Sequence, residues 1–219
     1  GAPSMTEALK AGKPVVLVLF TGRPLALTWE EETVPAILNV WFGGSEAGDA
    51  IADILFGDVN PSGKLTMTFP QNVGQVPIYY AHKNTGRPLE AGKWFEKFRS
   101  NYLDVSNDPL YPFGYGLSYT TFEYSDIKLS NNNINKTEST IVSFTIKNTG
   151  VRGGDEVVQL YMRDLLSSVA RPVTELKGFQ RIHLKAGESK EVSFAITPEM
   201  LTMLDINMKE VVESGDFRI

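Results

Sequence analysis

The chain has 219 residues, of which 42% are hydrophobic and 21% charged, with 19 Gly, 12 Pro and no Cys. This is globular composition; it excludes collagen, low-complexity disorder and a charge-driven unfolded chain, and the lack of thiols excludes disulfide frameworks, thiolate zinc sites and cysteine nucleophiles. With 21 basic and 26 acidic residues the net charge is −5, which disfavours nucleic acid and anionic membranes as partners, and no stretch approaches the roughly 20 apolar residues of a membrane span.

Three textures follow one another along the chain. Gly1-Ala2-Pro3-Ser4 reads as a cloning remnant, so the natural start is expected to have been cut away. From residue 5 to 70, strand and helix signals alternate. Residues 6–11 look like the tail of a helix closed by Gly12. Residues 15–20 are apolar without interruption, as a parallel strand covered on both faces would be. Thr28 and Glu31 have capping-box spacing for a short helix that Pro35 ends, and residues 36–42 read as a second buried strand. Gly43-Gly44 then turns, and Ser45 is placed to cap a helix with Glu46 and Asp49 in its first turn. Ala47, Ala50, Ile51, Ile54 and Leu55 give that helix one apolar face, and Gly57 stops it. Residues 65–69 read as a short alternating strand. The pattern is α/β, with too few strands for a complete doubly wound domain.

Residues 71–120 have no sustained periodicity, yet they hold ten of the 23 aromatics, Tyr79, Tyr80, Trp94, Phe95, Phe98, Tyr102, Tyr111, Phe113, Tyr115 and Tyr119. Disordered linkers are poor in aromatics, so this stretch is expected to dock against something. From 121 to 219 the period becomes two: Val142-Phe144-Ile146, Val158-Leu160-Met162 and Val192-Phe194-Ile196 alternate with polar residues. Turn signals between them predict six or seven antiparallel strands in an immunoglobulin-like sandwich, whose last strand, starting at Phe217, is broken off.

Chemistry is harder to find. His183 alternates with Leu184 on a strand and reads as a surface or packing residue; His82 lies in the aromatic stretch without ligand support. No set of N and O ligands has metal spacing. Gly63-Lys64 lacks the phosphate-loop spacing and is followed by Leu65 where Ser or Thr is required. Gly43-Gly44-Ser45 could meet an anion, but a tight strand-to-helix turn is the favoured reading, and there is no G-x-S-x-G nucleophile elbow. Glycoside hydrolysis needs two carboxylates flanking the scissile bond. Glu30-Glu31-Glu32 reads as a solvated helix start, and Asp104 and Asp108 sit among aromatics, but no convincing acid/base pair emerges. Aromatic faces such as Trp94, with Arg87 and Arg99, suit a sugar surface, but packing of the same aromatics between domains is the favoured reading.

The residues do match a family. Lys13-Pro14-Val15-Val16-Leu17-Val18, Thr21-Gly22-Arg23-Pro24-Leu25, Trp41-Phe42-Gly43-Gly44, Ala50-Ile51-Ala52-Asp53, Leu55-Phe56-Gly57 and Asn60-Pro61-Ser62-Gly63-Lys64-Leu65 resemble the second domain of family 3 glycoside hydrolases. Gly74-Gln75-Val76-Pro77, Tyr79-Tyr80, Thr85-Gly86-Arg87-Pro88 and Pro109-Leu110-Tyr111-Pro112-Phe113-Gly114-Tyr115-Gly116-Leu117-Ser118-Tyr119 continue the resemblance in order. Gly154-Asp155-Glu156-Val157-Val158-Gln159-Leu160-Tyr161, Arg171-Pro172 and Leu176-Lys177-Gly178-Phe179 are similar to the family's fibronectin-III-like domain, and the whole is closest to the bacterial periplasmic β-glucosidase type.

The resemblance implies a partial doubly wound α/β sandwich (5–70), an aromatic-rich docking segment (71–120) and a fibronectin-III-like β-sandwich (121–219). It implies the rear portion of a retaining, exo-acting enzyme that works by double displacement without a cofactor, in the periplasm or secreted. The nucleophilic aspartate, on a (β/α)8-like barrel, and the acid/base glutamate have no counterpart here, so the expected catalytic residues in this chain are none and the piece is expected to be inactive alone. The expected partners are that barrel, a β-glucoside or oligosaccharide, and a second copy through exposed aromatics. Residues 93–104, with Lys93, Trp94, Arg99 and Asp104, are the candidates for lining the leaving-group side; interdomain packing is the alternative. A noncatalytic carbohydrate-binding or scaffolding module is the alternative for the whole.

Overall fold

The computed structural model describes residues 4–90 and 92–219; the stretch Gly1-Ala2-Pro3 of the expected remnant lies outside them. The chain divides into two compact units, one of Gly1–Val59, Met67–Ile78 and Leu89–Phe113, the other of Asn60–Thr66, Tyr79–Pro88 and Gly114–Ile219.

In the first unit, α1 (Met5–Leu9), β1 (Val16–Leu19), α2 (Thr28–Thr33), β2 (Ala36–Asn39) and α3 (Ala47–Phe56) follow in order. β1 and β2 pair in parallel, Val16 against Ala36 through Leu19 against Asn39, as uninterrupted apolar runs joined by a helix should. Their burial falls short of expectation: both strands are only partly buried, because a two-stranded sheet has little face of its own to cover. β2 stops at Asn39, before the predicted end at residue 42, and Trp41 takes a left-handed backbone with φ 52°. Neither predicted cap forms. Glu46 rather than Ser45 occupies the cap position of α3, and Leu27 that of α2, each without a side-chain cap bond. The Thr28 hydroxyl instead donates to the Gln71 carbonyl at 2.6 Å. Gly57 does end α3, in the left-handed conformation at φ 86° that glycine adopts without steric cost.

Residues 65–69 are not a strand. Leu65 bonds to Gly114 and Tyr115 in the second unit, while Phe69 forms a lone antiparallel bridge to Tyr111 in the first. The stretch is divided between two sets of partners, so no continuous ladder can form.

The second unit is a β-sandwich. β3 (Phe122–Leu129), β4 (Thr140–Asn148) and β7 (Ser189–Ile196) form one antiparallel sheet; β5 (Gly154–Asp164), β6 (Glu175–Leu184) and β10 (Phe217–Arg218) form the other. A short helix α4 (Pro198–Leu201) and the hairpin of β8 (Met203–Leu204) and β9 (Glu210–Val211) precede β10. The period-two residues of β4, β5 and β7 face one shared core with Ile182, Leu184 and Leu201. Asn148, fully buried at the end of β4, accepts from the Thr120 hydroxyl and Gly150 N–H and donates to the Arg152 and Leu184 carbonyls. Every polar atom of its side chain is therefore matched, which offsets the cost of burying it.

Candidate functional site

Among the described residues of the aromatic-rich stretch Leu89–Phe113 there is no helix or strand, and side chains hold it in shape. Gln75, almost wholly buried in the 3-10 turn Val73–Gln75, takes the Gln71 N–H on its carbonyl oxygen at 2.6 Å. Its amide nitrogen donates to the Ser106 and Asp108 carbonyls at 2.8 and 3.1 Å. The Tyr102 hydroxyl donates to the Gln75 carbonyl at 3.2 Å, and Phe69 exchanges backbone bonds with residues 110 and 111. Phe69 itself is the most buried aromatic of this unit, edge-on to Tyr111 and tilted against Trp41.

The four predicted site residues fall on the exposed part of this segment. Lys93 lies 3.3 Å from Glu90 and 3.5 Å from Glu96, and its pKa is raised, first by the hydrogen bond to Glu90 and then by the charges of both carboxylates. Arg99 reaches the other oxygen of Glu96 at 3.5 Å, so Lys93 and Arg99 share one acid. Trp94 is half-exposed and tilted against Phe95 with ring centroids 6.3 Å apart. Asp104 is exposed between Leu103 and the buried Val105. Phe98, 72% exposed, has φ 67°, and Lys97 stands over its ring at 4.9 Å. A bulky residue held in the left-handed region stores strain of about 1 kcal/mol or more. Arg87 lies outside this unit, in the Tyr79–Pro88 stretch.

The arrangement offers half-exposed aromatic faces beside cations and hydrogen-bonding groups, suited to the apolar and hydroxyl faces of a sugar. Its two glutamates, Glu90 and Glu96, are both paired with Lys93. Among the described residues, no group of three or more His, Cys, Asp or Glu side chains could hold a metal ion, and no helix is long and apolar enough to cross a membrane. His183 lies on the outer face of the sandwich, its Nδ1 2.6 Å from Asp155. The His82 ring nitrogen Nδ1 lies 3.2 Å from its neighbour's carbonyl, Lys83 O. Sequence reasoning missed Gln75 and Glu96 as organisers of the segment; a lone Gln or Glu in an aperiodic stretch gives no signal until its partners are in place.

The chain thus joins a small α/β unit that carries an aromatic segment braced by side chains to a β-sandwich unit. Residues 3–119 match the glycosyl hydrolase family 3 C-terminal domain, and residues 156–219 match the fibronectin type III-like domain. The chain belongs to glycosyl hydrolase family 3. It is similar to a periplasmic beta-glucosidase of Salmonella typhimurium, 53% identical over 216 residues, covering 98% of this chain and 28% of that protein. A beta-xylosidase of Formosa agariphila is 49% identical over 216 residues, covering 98% and 29%. Among solved structures, the beta-glucosidase from Listeria innocua in complex with isofagomine superposes with a TM-score of 0.88 at 46% identity, over 94% of this chain and 29% of that one. The chain thus spans under a third of the length of these relatives.

Proposed function

We propose that this chain is the C-terminal region of a retaining, exo-acting β-glucosidase that releases terminal β-D-glucosyl residues. The observation that carries the reading is its similarity to a periplasmic beta-glucosidase across 98% of the chain but only 28% of that protein. The catalytic aspartate and the acid/base glutamate then belong to an upstream region that includes a (β/α)8-like barrel. That region is the principal partner of this chain, with exposed aromatics such as Phe42 and Phe98 available to it or to a second copy. The reaction would be a double displacement through a covalent glycosyl intermediate, in the periplasm or after secretion. Lys93, Trp94, Arg99 and Asp104 would line the leaving-group side, where Trp94 supplies an apolar face and the charged groups meet hydroxyls. The beta-xylosidase relative at 49% identity keeps a pentose substrate within the same proposal.

Incubated with an aryl β-glucoside, this chain should release no phenol above background. Turnover abolished by a point change within these 219 residues would overturn the assignment of the catalytic groups elsewhere. The exposed Trp94, Phe95 and Phe98 favour a second reading, a noncatalytic sugar-binding module. Calorimetric binding of cello-oligosaccharides by this chain, abolished by Trp94→Ala, would support that module; silence at millimolar sugar would reject it.

A further inference from the structure

Asn60–Thr66 and Tyr79–Pro88 lie within residues 3–119, which match the glycosyl hydrolase family 3 C-terminal domain, yet both belong to the compact unit of the sandwich. The first of these two straps is laced to the sandwich at several points. Asn60 Nδ2 donates to the Gly153 carbonyl at 3.1 Å, and its Oδ1 accepts from the Ser118 hydroxyl and the Tyr119 N–H at 2.9 and 2.8 Å. A Cβ on Gly154, the first residue of β5, would lie 2.6 Å from that Nδ2, so glycine is what admits Asn60 there. Lys64 donates to the Gly116 carbonyl at 2.7 Å and pairs with Glu156 of β5 at 3.2 Å, the two side chains only 17% and 12% exposed. The Leu65 N–H donates to the Tyr115 carbonyl and the Leu65 carbonyl accepts from the Gly114 N–H, both at 2.7 Å. The lysine that fails the phosphate-loop spacing is an internal fastener of the sandwich.

The second strap lies along β6 and the chain just before it. The Val173 N–H donates to the His82 carbonyl at 2.8 Å, Lys83 bridges to Pro172, and the Leu176 N–H donates to the Tyr80 hydroxyl oxygen at 3.4 Å. The Tyr80 ring stands edge-on to Tyr161 of β5, with centroids 5.9 Å apart. The Tyr161 hydroxyl donates to the Gln159 side-chain oxygen, and the Gln159 amide nitrogen donates to the Gly114 carbonyl at 3.1 Å. Gln159 and Tyr161 alternate along β5 with the core residues Val158, Leu160 and Met162, so these bonds are made on the outer face of the strand.

We propose that the two straps fold and unfold with the fibronectin-like strands as one cooperative unit, fastened by Asn60 and by the Lys64–Glu156 pair. Domain boundaries fall where few contacts cross, whereas the bonds of Asn60, Lys64 and Leu65 all join the first strap to residues beyond 113. A cut between residues 120 and 121 would strip Glu156 of its cation and uncover the outer face of β5. The sandwich is therefore not a module that can be exchanged where the fibronectin-like sequence begins. It draws two pieces of its structure from chain that precedes it by about 30 to 60 residues.

Native-state amide hydrogen exchange on the complete chain tests the shared unit. The Leu65 and Gly114 amides report the first strap and the Val173 amide the second. In one cooperative unit, their protection should lie within about tenfold of that of the slowest β5 and β6 amides. Protection more than about tenfold weaker at these positions marks straps that peel away from a sandwich still folded, and overturns the proposal. Asn60→Ala removes three hydrogen bonds and should speed exchange at Leu65, Gly114 and the slowest β5 and β6 amides alike, by about tenfold or more. Lys64→Met should act in the same way and more strongly, because the charge of Glu156 stays enclosed without its partner. Acceleration confined to residues 60–66, or none at all, overturns the proposal. Should Lys64→Met fail to fold, the unaltered chain and Asn60→Ala decide.

Discussion

The two units handle their apolar residues differently. The sandwich gathers twelve buried side chains into one cluster spanning both sheets. Among the described residues of the first unit, only Leu27, Val34, Phe69 and Val105 are buried apolar residues, while Phe20, Phe42 and Phe56 are largely exposed. Two facing sheets enclose a core between them, whereas a two-stranded parallel sheet with one ten-residue helix encloses little. The first unit relies instead on polar bracing: Gln75 alone serves three segments of chain through the Gln71, Ser106, Asp108 and Tyr102 bonds. Equal hydrophobicity in sequence does not yield equal burial, because burial depends on how many neighbouring elements can cover a strand.

A matched pair of truncations should expose that contrast most strongly. Ile146→Ala, in a site with no solvent exposure, should cost about 3–4 kcal/mol, while Ile51→Ala on half-buried α3 should cost about 1 kcal/mol. All 3 tryptophans, Trp29, Trp41 and Trp94, lie in the first unit, so tryptophan fluorescence reports it alone while far-UV circular dichroism is weighted toward the sandwich. In denaturant, Ile146→Ala should move the dichroism transition and Ile51→Ala the fluorescence transition. Equal costs at the two positions would mean that α3 is packed as tightly as the sandwich.

The same contrast explains what could be read ahead of the structure. Alternation at Val142-Phe144-Ile146 and Val158-Leu160-Met162 was sufficient to mark β4 and β5, since one face of each meets a continuous core. Runs of apolar residues located β1 and β2 but overstated their burial, and capping spacing misjudged α2, because Thr28 spends its hydroxyl on Gln71, 43 residues away. Within the candidate segment, composition singled out Trp94 and the cations Lys93 and Arg99. It could not reveal Glu96 between those cations, or Gln159, whose bond to Gly114 spans 45 residues. Local patterns carry local structure, while bracing between distant residues becomes visible only in three dimensions.

A smaller effect concerns the margin of the sandwich under alkali. Tyr124, tilted against Phe144 on the edge strand β3, has its pKa raised by burial first and by the Glu156 charge second. A raised folded-state pKa contributes stability that is fully present below the ordinary tyrosine value of about 10 and is lost as pH climbs above it. The ring is nearly half-exposed, so the slope should be a few tenths of a kcal/mol per pH unit. Tyr124→Phe should flatten the fall of the dichroism midpoint above pH ~10; an unaltered slope would place the alkaline sensitivity in another group.

The smallest expected effect lies at the acid end, on the outer face of the same sandwich. Asp155 pairs directly across the β5–β6 ladder with His183, and Arg181 stands two residues along. His183 Nδ1 lies 2.6 Å from one carboxylate oxygen, and the Arg181 Nε–H donates to the other at 2.9 Å. The His183 hydrogen bond is the largest cause of a lowered Asp155 pKa, partial burial opposes it, and Arg181 adds to it. A depressed folded-state pKa contributes stability that is present above the ordinary carboxylate range and lost as pH falls through the folded value. His183 and Arg181 are each 63% exposed, so water and salt screen the cluster to a few tenths of a kcal/mol. Asp155→Asn should therefore lower the dichroism midpoint slightly at pH ~6, and the gap to wild type should close as pH approaches 3. The tryptophan transition serves as the internal reference, since it reports the unit that lacks this cluster. A gap that persists undiminished at low pH would show that Asp155 acts through packing rather than charge, and the acid sensitivity of the sandwich would then have to come from elsewhere on its surface.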